Sequence, residues 1–262
     1  MGIHYCQKAG INMHRFFVEE NQVNREEKCI RIHGNDVNHI KHVLRMTEGE
    51  KILISCGDEW EYTCAITQLD TEEIRTSIIN IEETGRELPS RIYLFQALPK
   101  SDKLELIIQK TVELGVFQII PVETQNCVVK LDAKKKESKI KRWQAIAESA
   151  AKQSKRMIIP EVQKVMKFSD AIKYAQELDV CMIPYELAEN MQHTREFFEQ
   201  IKPGQSIGIF IGPEGGFSSE EVKSALEHEI EPVTLGKRIL RTETAGLAVV
   251  SILMYLLEDR SC

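Results

Sequence analysis

From Arg91 onward the chain alternates short, continuously apolar runs with amphipathic stretches, and this alternation constrains its fold more tightly than any other feature. The apolar runs are Arg91–Leu98, Phe117–Glu123, Val180–Glu186, Ser206–Gly212 and Glu231–Gly236. Unbroken apolar character over so few residues is what strands buried on both faces require. Between them, Asp102–Leu114, Glu137–Lys155, Phe168–Leu178, Met191–Gln200 and Ser219–Glu229 carry apolar residues at three- and four-residue spacing, the helical pattern. Strand and helix in turn predict an α/β class with a parallel sheet. In the first of these helices Ser101 is the expected N-cap and Gly115 the residue past its end, with Leu104, Ile107, Ile108 and Val112 as the core stripe. The longest apolar run, Ala245–Leu257, has thirteen residues, too few to cross a bilayer, and reads as a buried helix.

Residues 14–81 have a different texture. Short β-rich runs at His14–Val18, Lys28–His33, Lys51–Cys56, Glu61–Ile66 and Ile74–Ile81, with one helical stretch near Asp36–Arg45, suggest a small β-barrel. A polar linker, Glu82–Ser90, contains Gly85 and Pro89 and separates the two textures. The expected domains are therefore 13–84 and 90–262. Met13 stands directly before the first run, so residues 1–12 read as a leader outside the fold or as an upstream start. Cys6, Gln7 and Lys8 interrupt any signal-peptide core. The seven cysteines form no C-x-x-C pair, which speaks against a disulfide framework or a zinc site. Reduced thiols, no metal and a cytoplasmic location are expected.

A net charge of -6 argues against a nucleic-acid partner until its distribution is examined. Residues 1–88 hold 10 basic against 16 acidic side chains, whereas Lys130–Arg156 holds 10 basic against three acidic. Lys237, Arg238 and Arg241 form a second basic cluster. Such strips are the electrostatic footprint of phosphate contacts, although Lys134–Lys136, taken alone, read more readily as a solvated loop.

Two segments carry chemistry. Ile209–Val222 reads as a buried strand, a turn Gly212-Pro-Glu-Gly-Gly216 and a helix whose Ser218 and Glu221 stand at capping-box spacing. Glycines beside a strand end let a ligand approach the backbone closely. The turn has no Lys and carries Glu214, so it is not a phosphate loop, and the dinucleotide G-x-G-x-x-G spacing is missing. A tight turn without a ligand fits these residues equally well. The second segment, Leu235-Gly-Lys-Arg-Ile-Leu-Arg-Thr-Glu-Thr-Ala245, brings three cations to a helix start, where the dipole already favours anions. Arg238 and Arg241 paired with Glu243 or Glu214 in salt bridges is the structural alternative.

Together these motifs resemble the ribosomal RNA small subunit methyltransferase E family of the SPOUT superfamily. The likeness extends from Met13 through His39-Ile-x-x-Val-Leu-Arg-Met46, Leu98-Pro-Lys-Ser-Asp-Lys-Leu-Glu105, Ile107–Lys110, Glu113-Leu-Gly115, Val128-Val-Lys-Leu131, Arg142-Trp143 and Gln153-Ser-x-Arg156. The resemblance implies a PUA-like RNA-binding β-barrel, then a SPOUT α/β domain ending in a deep trefoil knot, an exception to the rule against threading. It further implies a homodimer that methylates N3 of a specific uridine in 16S ribosomal RNA, within the small subunit, using S-adenosylmethionine.

By the same resemblance, the cofactor is bound by three loops. The first is Tyr185, Glu186 and Leu187; the second is Ile211, Gly212, Pro213, Glu214, Gly215 and Gly216. The third comprises Leu235, Gly236, Ile239, Leu240, Arg241, Thr244 and Ala245. Arg15, His39, Arg45, Lys100, Lys103 and Arg156 are the implied RNA contacts. Removing the N3 proton leaves an anionic uracil, a role for Arg241 as stabilising cation and Glu243 as base or orienting group. His39 and His42 share a helix face, but no third metal ligand accompanies them.

The chain departs from the family pattern twice. Asn126-Cys127 stands where members usually have Arg-Ser, and Arg241-Thr-Glu-Thr-Ala-Gly246 where they usually read R-A-E-T-A-P. Asn126 leaves open a SPOUT enzyme acting on another RNA, such as transfer RNA. A non-catalytic RNA-binding assembly factor is the alternative of another class.

Overall fold

The computed structural model describes residues 13–58, 60–83, 86–185 and 191–258; the expected leader lies outside them. The chain divides between Arg86 and Glu87 into two compact units.

In the first unit, β1 (Arg15–Phe17), β2 (Val23–Asn24), β3 (Cys29–His33), β4 (Lys51–Ser55), β5 (Trp60–Leu69) and β6 (Glu73–Glu83) form one sheet in the order β1-β4-β5-β6-β3-β2. The β1–β4 pair is parallel and the rest antiparallel. Alternation sorts the faces: Ile30 and Ile32 of β3 are buried while Arg31 and His33 are exposed. The core gathers Phe16, Ile52, Ile54, Tyr62, Ile66 and Ile74, closed by Val37 and Ile40 from the helical stretch between β3 and β4. That stretch is a short helix α1 (Asn35–Asn38) that widens into a π turn over His39–Val43. Helical sequence periodicity marked it, but not the change of pitch.

The second unit holds β7 (Arg91–Ala97), α2 (Lys103–Glu113), β8 (Gln118–Glu123), α3 (Ala133–Ser154), β9 (Glu161–Val162), β10 (Met166–Lys167) and α4 (Phe168–Ala175). There follow β11 (Val180–Pro184), α5 (Met191–Gln200), β12 (Ser206–Ile211), α6 (Ser219–Glu227), β13 (Glu231–Val233) and α7 (Thr242–Leu257). All pairings in this sheet are parallel, in the order β10-β8-β7-β12-β11-β13 with β9 also on β8. The two central strands are buried on both faces, as their composition requires. Their register sets Phe95 opposite Phe210, and the rings stack with centroids 4.4 Å apart. Phe168, Ala171, Ile172 and Ala175 of α4 cover this face. On the α2–α7 side, Ile107, Ile108 and Val112 of α2 and Val249, Val250 and Leu253 of α7 are buried.

Several local expectations change. Ser101 has a left-handed φ of 57°, and the N-cap of α2 is Asp102, whose side chain makes no capping bond. Gly115 does take the left-handed conformation past the helix end, at φ 98°. Helix α3 begins four residues earlier than its apolar pattern, at Ala133, because Asp132 caps it by accepting from Lys135 N at 2.8 Å. Lys134–Lys136 are therefore helical and not a loop. Helix α7 is not buried all round, since Ile252, Tyr255 and Leu256 face outward. The two-residue strands β2, β9 and β10 are too short to leave a period in sequence.

Candidate functional site

Strands β11, β12 and β13 end side by side, and the loops leaving them wall a cavity of ≈ 590 Å³. Ligands of open parallel sheets bind at this carboxyl edge. Tyr185 comes from the first loop; Ile211, Gly212, Pro213, Glu214, Gly215 and Gly216 from the second; Leu235, Gly236, Ile239, Leu240 and Ala245 from the third. Glu186 and Leu187 lie outside the described residues. Arg241 and Thr244 do not line the cavity, and both are exposed. Arg241 is instead the N-cap residue of α7.

The glycine turn is built for close approach. Gly216 N–H donates to Pro213 O at 2.9 Å, and Gly216 has φ +66°, which a β-carbon disfavours. A side chain on Gly215 would stand 3.2 Å from Asn126 Cβ. Asn126, which follows β8, donates from Nδ2 to both Gly215 O and Gly216 O, each at 3.1 Å. Beside it, Gln125 N–H donates to Glu221 Oε1 at 2.8 Å. Glu221 completes the capping box of α6 with Ser218. The turn is thus clamped from one side by the β8 loop and anchored by α6.

Its other side is electrostatic. Glu214 Oε1 accepts from Lys103 Nζ at 2.9 Å and from Lys100 N at 3.1 Å. Burial raises the Glu214 carboxyl, but the Lys103 bond and backbone N–H groups outweigh it, and the net shift is downward. Lys103 Nζ also lies 3.3 Å from Glu243 Oε2. Its own proton is held more tightly than usual, through the Glu214 bond first and Glu243 after it. With both carboxylates taken by Lys103, the guanidinium groups of Arg238 and Arg241 make no hydrogen bond or ion pair among the described residues. The salt-bridge alternative for these two arginines is not what forms. Lys237 and Arg238 line the cavity as cations unpaired among the described residues.

The implied RNA contacts divide sharply. Arg15 is 7% exposed, bonded to Ser55 Oγ at 2.6 Å and to Glu61. Arg156 is 4% exposed, with Nη1 donating to Val112 O and Val116 O and Nε to Glu87. Neither guanidinium can meet an incoming phosphate, and both are corrected to internal supports. Lys103 is committed to the two carboxylates. Arg45 and Lys100 present exposed head groups unpaired among the described residues, and His39 is exposed beside a T-shaped contact with Phe16. Much of the α3 basic strip is neutralised: Lys136 pairs with Glu123, Lys139 and Arg142 with Glu105, Lys141 with Glu137.

Sequence reasoning missed Pro184, Met191, Phe217 and Thr234 as cavity lining, and placed Lys237, Arg238 and Thr242 in the third loop without naming them as contacts. Most flank residues it did name. Asn126 was legible only as a departure, because nothing near it in sequence shows that β8 ends beside the turn. Among the described residues no cluster of His, Cys, Asp and Glu could hold a metal. No helix among them is long and apolar enough to cross a membrane.

Comparison with known proteins agrees with this architecture. Residues 86–254 match the RNA methyltransferase domain family, and residues 32–79 the RNA methyltransferase PUA domain. The ribosomal RNA small subunit methyltransferase E of Bacillus subtilis is 38% identical over 94% of this chain and 98% of its own length. The enzyme of that name from Mesomycoplasma hyopneumoniae is 33% identical over 91% of this chain and 98% of its own length. The crystal structure of the Neisseria gonorrhoeae enzyme of that name, bound to S-adenosyl methionine, superposes with a TM-score of 0.79 at 31% identity, covering 93% of this chain and 98% of that one. With the two-part domain match and the loops of the cavity in place, the chain belongs to the ribosomal RNA small subunit methyltransferase E family.

Proposed function

We propose that this chain methylates N3 of a specific uridine in 16S ribosomal RNA, within the small subunit and in the cytoplasm, with S-adenosylmethionine held in the cavity at the ends of β11, β12 and β13. The observation that carries the proposal is the pairing of that cavity with cations unpaired among the described residues: a glycine turn free of phosphate-binding chemistry faces a loop bearing Lys237, Arg238 and Arg241. The residues present fit the cofactor. The volume is that of a small-molecule site, Gly212, Gly215 and Gly216 allow backbone contact, and Lys237 and Arg238 suit its carboxylate. Tyr185, Glu186, Leu187, Arg241 and Thr244 complete the proposed set.

When bound, the cofactor supplies an electrophilic methyl group on a sulfonium. The chain's part is to hold the uracil ring in line with that methyl and to favour its N3 anion. Arg241 is exposed beside the cavity loop with a free guanidinium, suited to stabilising that anion. Glu243 shares Lys103 with Glu214, which supports an orienting role better than that of a base. Arg45, His39 and Lys100 are the proposed RNA contacts. The proposal extends to a barrel for residues 13–84, a trefoil knot closed by α7 within 90–262, and a homodimer. The outward apolar residues Ile252, Tyr255 and Leu256 of α7 support such an interface. The engagement of the Asn126 side chain with Gly215 and Gly216 supports a role for it within the glycine turn.

Calorimetry with S-adenosylmethionine, followed by mass mapping of 16S ribosomal RNA from a deletion strain complemented with wild type or Arg241→Ala, tests the proposal. Binding, a 3-methyluridine restored by wild type, and a folded Arg241→Ala that fails to restore it are expected. No binding at millimolar cofactor, or a methyl group on another RNA, would overturn it.

A further inference from the structure

We infer that Gln96 and Thr242 form a buried relay that fixes the spacing of the two loops around the cavity, and that they are positioning residues for methyl transfer. The inference rests on the reading that the cavity holds S-adenosylmethionine.

The pairing of β7 with β12 ends at Gln96 opposite Ile211. One residue further on, the Gly212 carbonyl opens the glycine turn and has passed the last ladder position. Thr242 Oγ1 donates to it at 2.6 Å, and Gln96 Nε2 donates to Thr242 Oγ1 at 2.9 Å. Gln96 Nε2 also donates to Ala97 O at 3.0 Å. The relay thus extends the alignment of the central strands past their end and brings the first residue of α7 into it.

Proton counting makes the direction unique. A hydroxyl has one hydrogen, which Thr242 gives to Gly212 O, so it can only accept from residue 96. An amide at 96 and a hydroxyl at 242 are both needed. Gln96 is fully buried and Thr242 nearly so, and Gln96 Oε1 has no hydrogen-bond partner among the described residues. Leaving a buried acceptor unpaired is costly, so the amide is retained here for its donor group. Gly212 and Thr242 both line the cavity, and Arg241 immediately precedes Thr242. A shift of Thr242 therefore moves both the cofactor turn and the cation proposed for the uracil anion.

The test compares Thr242→Val, which keeps the shape and loses the hydroxyl, with Thr242→Ser, which keeps the hydroxyl. Calorimetry should show Thr242→Val weakening S-adenosylmethionine binding roughly five- to a hundredfold, from two buried groups left unpaired, and Thr242→Ser binding within about threefold of wild type. Gln96→Glu adds a pH readout. Its ionised carboxylate has no donor for Thr242, whereas its protonated form has one, so affinity should recover as pH falls. Leu253→Ala, in the buried stripe of α7 far from the relay, should lower the melting temperature and leave affinity intact.

Wild-type affinity in Thr242→Val, failure of Thr242→Ser to restore binding, a pH-independent Gln96→Glu, or equal weakening by Leu253→Ala would each overturn the relay. A wild-type protein that binds no cofactor overturns the proposed function itself and the relay with it.

Discussion

The ammonium of Lys103, at the start of α2, lies 2.9 Å from the carboxylate of Glu214 in the glycine turn, with Glu243 of α7 3.3 Å away on the same nitrogen. One cation thereby ties three elements together. The Glu214 carboxyl is held below its ordinary 4.5 and the Lys103 ammonium above its ordinary 10.5. A depressed carboxylate adds stability above its unfolded value and loses it as pH falls through the folded one; a raised ammonium adds stability below its unfolded value and loses it as pH rises. The melting temperature of wild type should therefore exceed that of Glu214→Gln by a constant margin between about pH 5.5 and 9, and the margin should shrink below about pH 4.5. A pH series of thermal melts checks this, and a margin that grows in acid contradicts the pairing.

Asn126→Ala removes both donors that hold the Gly215 and Gly216 carbonyls. Exposed hydrogen bonds of this kind contribute about 0.5–1 kcal/mol each, so S-adenosylmethionine affinity should fall roughly five- to thirtyfold. Gly215→Ala should act in the same direction, because its new methyl presses on Asn126. Calorimetry on the two variants is the measurement.

Arg156→Leu should destabilise the second unit by about 3–5 kcal/mol, because Glu87 loses its cation and the Val112 and Val116 carbonyls lose their donor. That is on the order of 10 °C in melting temperature for a unit of this size. Below the melt, the salt dependence of RNA binding should be unchanged. A reduced salt slope would return Arg156 to the RNA interface.

The interface proposal makes the opposite forecast for Arg45 and Lys100. Each substitution to Ala should lower the salt slope of 16S ribosomal RNA binding by about 1 and leave the melting temperature in place. Filter binding across a salt series reads the slope.

Burial pushes the Cys64 thiol up to about 12 and the Cys181 thiol to about 11. Iodoacetamide at pH 8 should therefore label partly exposed Cys29 in the native protein and spare Cys64 and Cys181 until unfolding. Peptide mapping by mass spectrometry distinguishes these sites.

Much of the second unit was legible because its strands are buried on both faces and its helices on one, so periodicity reports directly on burial. The cavity loops were legible from the glycine turn and the cations at 237, 238 and 241. Side-chain commitment was not. Arg15 and Arg156 look in sequence like any cationic RNA contact, and only the partners at Glu61 and Glu87, 46 and 69 positions away, show that their charge is spent internally. Asn126 and Thr242 stood in sequence only as departures from a pattern, yet each donates a hydrogen bond to the glycine turn. Such pairings leave no local period, because the energy lies between distant segments.

The bond from Gln96 to Thr242 joins residues 146 positions apart. A chain emerging from the ribosome completes β7 first, but the neighbour that belongs at its side, β12, and the helix that meets its end arrive only more than 100 residues later. Until then the centre of the sheet stands open, and loop closure over such a span is slow. The cavity cannot be nucleated by its first half, and chains lacking α7 should be retained by chaperones or degraded. Timing of synthesis is thus built into the binding pocket.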